Sequence, residues 1–274
     1  MDIRLIAMDL DGTALQPDRC SFSPRLRAAL EEAHKRGIAI APVTGRQFAM
    51  LPPAVQNHPV WENLVVLCNG GQIRRLATGE ILYEKNIAGE ALGKLLVLSE
   101  DVQIPIEFSV NSVLYLTARS LHQQHGHESL CFHLNTILAR HGKLVPSLEP
   151  YCGLAVEKVN LPYISPEKHR EVEEKLRDIP VSAVWSSATS MEITHPEARK
   201  GTALEALCSL LDIPVENTMA LGDSGNDESM LKTAGLGIAM GNAPDFIKAA
   251  ADAVTARCDQ DGAAIAIERY VFNL

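Results

Sequence analysis

The sequence lacks a long apolar run. No stretch of about 18 uninterrupted apolar residues occurs in its 274 positions, so no bilayer-spanning helix is expected. The start, Met1-Asp2-Ile3-Arg4, has neither a basic n-region nor an apolar h-region, so a secretory leader is not expected either. Cysteines are few. The six, at 20, 68, 131, 152, 208 and 258, form no close Cys-x-x-Cys pair, which argues against a zinc site. Most read as small buried apolar residues, and a reduced cytoplasmic setting is the simplest one. Positive charge is not in excess. A formal net charge of −9 argues against general affinity for nucleic acid or an anionic membrane. Internal repeats and low-complexity segments are absent as well. What is present is enough hydrophobic sequence, 46%, for a substantial core, in a chain long enough that two domains are expected.

The densest chemical signal is Asp9-Leu10-Asp11-Gly12-Thr13, directly after the apolar run Leu5-Ile6-Ala7-Met8. That run reads as a buried strand, so two carboxylates arrive at a strand's carboxyl end, where open α/β sheets bind ligands. Successive strand residues point to opposite faces, so the chain must bend after Leu10 for both carboxylates to reach one site. Gly12 permits the bend. One carboxylate can attack phosphorus or hold a hard cation while its neighbour moves a proton; an ordinary acidic Asp-Gly turn is the plainer alternative.

Three further segments bear on that choice. Val43-Thr44-Gly45-Arg46 follows the apolar run Ile38-Ala39-Ile40-Ala41, and a hydroxyl with free N–H groups at a strand end suits a phosphate oxygen. Gly222-Asp223-Ser224-Gly225-Asn226-Asp227 follows a short apolar strand and groups two carboxylates around a glycine turn. Such oxygens suit Mg²⁺, and equally an Asx-rich loop capping the next helix. Lys200 opens an expected helix over 200–211, where it is either a solvated charge or a point charge within reach of a phosphate.

The order of elements gives the architecture. Strand 3–9, helix 24–36 (Ser23 cap, Pro24 in the first turn), strand 38–43, a helix from about 46 broken at Pro52-Pro53, and strand 64–68 alternate as in a parallel sheet. Past residue 82 the texture changes. A helix over 90–100, strands over 104–109 and 113–118, a His-rich polar stretch at 122–133, a strand over 154–161, a helix over 166–177 and a strand over 182–187 suggest an α+β module. The parallel pattern then resumes with helices over 200–211, 228–234, 244–251 and 263–272 between strands 218–221, 236–240 and 253–255. The expected fold is therefore α/β, a doubly wound parallel-sheet core over 1–82 and 193–274 with an α+β insert over 83–192.

The ordered set Asp9-x-Asp11-Gly12-Thr13, Thr44, Lys200 and Gly222-Asp223-x-x-Asn226-Asp227 resembles the haloacid dehalogenase superfamily of phosphohydrolases. Val43-Thr44-Gly45-Arg46, Asn69-Gly70, Lys200-Gly201, Met240-Gly241-Asn242-Ala243 and Asp261-Gly262-Ala263 extend the resemblance to its Cof-type subgroup, whose insert is the large type IIB cap over the active site. Two departures, Gly71 after Asn69-Gly70 and the glycine-free approach His195-Pro196-Glu197-Ala198-Arg199, bear on loop geometry and substrate placement and not on the reaction class.

The resemblance implies that Asp9 is the nucleophile and Asp11 the acid and base. It implies Mg²⁺ on Asp9, Asp223 and the Asp11 carbonyl, with Asp227 holding the metal-bound waters or supporting that shell. Thr44 and Gly45 would take the phosphoryl oxygens together with Lys200, which also offsets the charge of Asp9. Other residues keep two readings. Arg46 meets a second anionic group or starts a helix. Asn226 orients Lys200 or Asp223, or makes local turn contacts. Asn242 lies near the phosphate or caps the following helix, and Asn69 faces substrate or caps. Asp261-Gly262 is taken as a structural turn, and His122, His125, His127 and His133 as a solvated surface.

The expected activity is a Mg²⁺-dependent, cytoplasmic phosphatase of small phosphorylated metabolites, sugar phosphates or related cofactor phosphates, without nucleic-acid or membrane partners and with oligomeric state open. A phosphomutase, or a non-catalytic phospho-ligand-binding regulator, is the alternative.

Overall fold

The strand Leu5–Met8 is fully buried, four apolar residues in a row. A strand apolar on both faces needs neighbours on both edges and layers on both sides. It has them. Residues 2–56, 60–61, 63–131 and 133–274 are described by a computed structural model, apart from the Ser129 side chain. They form two units, one of residues 1–46, 51–84 and 199–274, the other of 47–50 and 85–198.

In the first unit a five-stranded sheet runs Ala253–Val254, Leu236–Ala239, Thr218–Gly222, Leu5–Met8, Ala39–Pro42, parallel throughout. The strand Leu64–Leu67 joins beyond Ala39–Pro42 through a parallel bridge, Val43 to Val66. Order along the sheet reverses at Leu5–Met8: the next strand in sequence lies on one side and Thr218–Gly222 on the other. This is the switch point at which doubly wound sheets open a crevice. Leu5, Ala7, Ala41, Val43 and Val66 share one packed layer with Leu204 and Leu207 of the helix Lys200–Leu211 and Leu231 of the helix Glu228–Thr233. The helices Pro24–Lys35 and Gly262–Val271 pack on each other, and the first lies along Ala39–Pro42.

Two expectations for the first 84 residues change. No helix begins near residue 46. The segment holds a three-residue 3₁₀ turn, Phe48–Met50, and the short helix Pro53–Gln56, because Pro52 and Pro53 remove the donors that a longer helix needs. The strand Leu64–Leu67 does not feed another crossover. It turns through Cys68 and Asn69, both left-handed (φ 53° and 56°), into an antiparallel meander with Gln72–Arg75 and Ile81–Glu84.

The second unit is a six-stranded sheet in the order Ser182–Trp185, Met191–Thr194, Lys158–Leu161, Glu107–Val110, Val113–Leu116, Gly142–Leu144. Pairing is antiparallel except at the last pair. Met191–Thr194 spans the expected 192/193 junction and pairs along its length inside this sheet. One face buries Phe108, Val159, Leu161, Met191 and Ile193 against Leu92 and Leu95 of the helix Gly89–Val102 and Val172 of the helix His169–Leu176. Residues directly paired across strands share a face, so Glu107, Ser109, Lys158, Asn160 and Glu192 stand together on the opposite one.

The histidines there are not all solvated. His133 bonds the buried carboxylate of Glu107 at 2.9 Å, and its side chain is 22% exposed. Burial pulls His133 down, and the Glu107 carboxylate more than reverses this, leaving it above its ordinary value. The His127 ring stacks on Tyr163 at 3.5 Å. Among the described residues, no helix is long and apolar enough to cross a membrane.

Candidate active site

Asp9 and Asp223 leave the carboxyl ends of the two adjacent strands at the switch point, Leu5–Met8 and Thr218–Gly222. The Asp9 N–H continues the ladder onto the Leu221 carbonyl at 3.0 Å. Beyond it Gly12 takes φ 80°, and a Cβ there would collide with the Asp223 carboxylate. Glycine is thus required twice over, for the left-handed turn and for the close approach. Thr13 then donates its hydroxyl to Asp223 Oδ1 at 3.2 Å.

The second loop is held from within. Asp227 Oδ2 accepts the N–H groups of Asp223 and Ser224, both at 2.9 Å. A side chain at Gly222 would strike the Asp227 carboxylate, so this tight return also needs glycine. Carboxylate oxygens of Asp9, Asp223 and Asp227 all lie within 4.8 Å of one another.

Lys200 reaches this group from the first turn of its helix, an unfavourable end for a cation. It is fully buried, and its Nζ donates to Asp9 Oδ1 at 2.5 Å and Asp227 Oδ1 at 2.6 Å. Burial would lower the ammonium, but Asp227 and Asp9 together hold it above its ordinary value, so Lys200 is a fixed positive charge. Asp9 is pushed well above the usual carboxylate range by burial, against the pull of Lys200, and the charges of Asp227 and Asp223 add to the push. Asp223 is raised to about 6 by burial and by the Asp227 charge, with Lys200 and the Thr13 hydroxyl opposing. When all three carboxylates are ionised they face one ammonium, an excess of two negative charges that also explains why Asp9 and Asp223 hold their protons more tightly than usual. That excess is what a dication with oxygen ligands relieves, and the residues present fit Mg²⁺.

The other expected residues fall into two groups. Asn242 lies in the site and does not cap the helix Asp245–Ala250. Its Nδ2 donates to the Gly12 carbonyl at 2.9 Å and to Asp223 Oδ2 at 3.1 Å, while its Oδ1 accepts the Cys258 N–H. Thr44 is buried, with its Oγ1 accepting the Arg46 N–H at 3.2 Å, an arrangement that leaves its O–H free to donate. Gly45 lies between them in the same turn.

Asn226 bonds neither Lys200 nor Asp223 in this arrangement. Its Nδ2 donates to Asn69 Oδ1 at 2.9 Å, and its Oδ1 accepts the Ser224 hydroxyl at 2.7 Å. Asn69 therefore ties the turn after Leu64–Leu67 to the acidic loop. Asp261 takes φ 59° just before the helix Gly262–Val271, the turn expected of it. The Asp11 carboxylate stands apart from the acidic group and is gripped by Arg46, whose Nε and Nη2 donate to its two oxygens at 2.7 and 2.6 Å.

Sequence reasoning missed this pair, as it missed Thr13 and Ser224 as supports. For the pair, the one available signal was that both residues follow adjacent apolar strands.

The family model described as haloacid dehalogenase-like hydrolase matches residues 6–267. YxeH of Bacillus subtilis is 30% identical over 274 residues, covering 98% of this chain and 98% of its own. The 5-amino-6-(5-phospho-D-ribitylamino)uracil phosphatase YcsE of Bacillus subtilis is 28% identical, covering 99% of this chain and 97% of its own. The solved structure of the subclass IIB sugar phosphatase BT4131 superposes with a TM-score of 0.83 at 25% identity, covering 98% of this chain and 99% of that one.

Proposed function

The chain belongs to the haloacid dehalogenase-like hydrolases and is a phosphatase of the Cof type; from that premise we propose that it hydrolyses phosphomonoesters of small metabolites, sugar phosphates or related cofactor phosphates, with Mg²⁺ and through an aspartyl-phosphate on Asp9. The observation that carries this reading is the buried contact of Lys200 with Asp9, beside two further carboxylates.

A carboxylate attacks phosphorus well only when charge on both partners is shielded. Lys200 holds Asp9 by one oxygen, Oδ1. The other oxygen is left to form the bond to phosphorus. Asp9, Asp223 and the Asp11 carbonyl would hold Mg²⁺, with Asp227 behind them, and the ion would supply positive charge to the phosphoryl oxygens. The Thr44 hydroxyl is suited to bind one of those oxygens. Asp11 gives a proton to the departing alcohol and later takes one from water. Asp227 engages both oxygens in the fold, one on Lys200 and one on the loop N–H groups, which fits a supporting role. Sugar and ribityl phosphates, which the names of two relatives mention, are the first substrates to try.

The test is release of inorganic phosphate from a panel of phosphorylated metabolites, with and without Mg²⁺, by wild type and Asp9→Asn. Mg²⁺-dependent release that Asp9→Asn lowers by at least about 10³-fold is expected. Isomerised ester without free phosphate would make the enzyme a mutase, and no turnover by folded, Mg²⁺-loaded protein would leave the phosphoester reading without support.

A further inference from the structure

Arg46 spends its charge on Asp11, not on an open anion site. The fork is two-pronged, Nε to Oδ2 and Nη2 to Oδ1. The guanidinium is fixed independently, because Nη2 also donates to the Arg19 carbonyl at 3.0 Å. Its backbone is fixed too, with the N–H on Thr44 Oγ1 and the carbonyl accepting the Cys68 N–H at 3.1 Å. Side-chain exposure is 12% for Arg46 and 38% for Asp11. The arginine is therefore the anchored member and the carboxylate the accessible one. Burial lowers the guanidinium, and the bonds and charge of Asp11 restore it to above its ordinary value, so it stays charged.

We propose that Arg46 is a positioning residue whose fork aims the Asp11 carboxylate at the water that hydrolyses the phosphorylated Asp9. This rests on the phosphatase mechanism above. A carboxylate oxygen has about two lone-pair sites. The fork uses one on each oxygen, so the remaining pair on each points away from Arg46, towards solvent. In the step itself, the water oxygen bonds to phosphorus and the water proton passes to Asp11. The phosphorus–Asp9 oxygen bond breaks with its electron pair returning to Asp9, and inorganic phosphate leaves. Lysine in place of Arg46 keeps the charge but not the fork, because an ammonium is a point donor.

The test uses the full chain with its preferred ester and Mg²⁺, comparing wild type, Arg46→Lys, Arg46→Ala, Asp11→Asn and the double variant Arg46→Ala/Asp11→Asn. A misaimed general base costs up to about 10²-fold. Arg46→Lys is expected to lower kcat by about 10- to 100-fold with KM nearly unchanged, and to show a burst of alcohol release as phosphorylated enzyme accumulates. In the double variant the Arg46 substitution is expected to add nothing to the loss from Asp11→Asn. Additive losses, or a loss confined to KM, would overturn the proposal in favour of direct substrate binding. Because Arg46→Ala can fail to fold, the fork is also read without turnover, by exchange of the Arg46 Nε–H with solvent in NMR. Slow exchange in wild type that becomes fast in Asp11→Asn supports the fork, and fast exchange in both removes it. Slow exchange in a wild type that hydrolyses no ester overturns the hydrolase reading instead, and the aiming role with it.

Discussion

Asp223 connects one side chain to the behaviour of the protein in solution. Burial and the Asp227 charge raise it to about 6, whereas an unfolded aspartate titrates near 4, about 3.9. Between these values the folded chain binds the extra proton. The contribution of Asp223 to the stability of the metal-free protein is therefore greatest at the acid side of this window and falls as pH climbs from about 4 to about 6. Asp223→Asn should remove that part of the slope. Mg²⁺ binds the ionised form, so its stabilising effect should grow over the same interval. Urea midpoints across the window, with and without Mg²⁺, check both; equal slopes in metal-free wild type and Asp223→Asn would mean the carboxylate is not strained by its surroundings. The site's acids and Lys200 were legible in the sequence because each stands where a buried strand or helix begins or ends. The Arg46–Asp11 fork and the Asn226–Asn69 bond were not, since they join residues 35 and 157 positions apart through side-chain directions that no local pattern encodes.

At the scale of the element, the turn after Leu5–Met8 depends on a glycine that has two jobs. Gly12 and Gly37 both have positive φ, 80° and 77°, but a Cβ at Gly37 meets nothing within 4 Å. Gly37→Ala should then cost backbone strain alone, about 1–3 kcal/mol, with phosphate release retained. Gly12→Ala should cost the same strain plus displacement of Asp223, losing Mg²⁺-dependent release as well. Denaturation midpoints and activity of the two variants side by side separate the contributions, and matched activities would show that Asp223 can give way at no cost. Elements were read well where apolar periodicity was long, as in Lys200–Leu211, whose expected and observed ends coincide. The segment after residue 46 was misread because its apolar residues are set by proline. The meander Gln72–Glu84 was missed because Gln72, Arg74 and Glu84 are polar: Gln72 donates across the strands to Glu84 at 3.0 Å, and Arg74 donates along its own strand to Gln72 at 2.9 Å.

At the scale of the whole molecule, each unit has, among the described residues, an apolar core of its own, which implies two separable sources of stability. Phe108 is fully buried in the second unit, where its ring stacks on Tyr115 with centroids 5.6 Å apart. Phe108→Ala should cost that unit about 3–5 kcal/mol. Mg²⁺ at a hundredfold excess over its Kd should add about 2.7 kcal/mol to the first unit. Scanning calorimetry is expected to show one transition moved by the substitution and the other by the ion; a single transition moved by both would show that the units unfold together. The order of strands also has a consequence for the chain as it is made. Leu5–Met8 leaves the ribosome more than 200 residues ahead of its neighbour Thr218–Gly222. At about 5–20 residues per second this is roughly 10–40 s of translation. Throughout that interval one edge of this fully buried strand has no native partner, so the nascent chain presents a sticky edge until Thr218–Gly222 is made. Enzymes of this topology thus place their demand for chaperones during synthesis, well before there is any activity to protect.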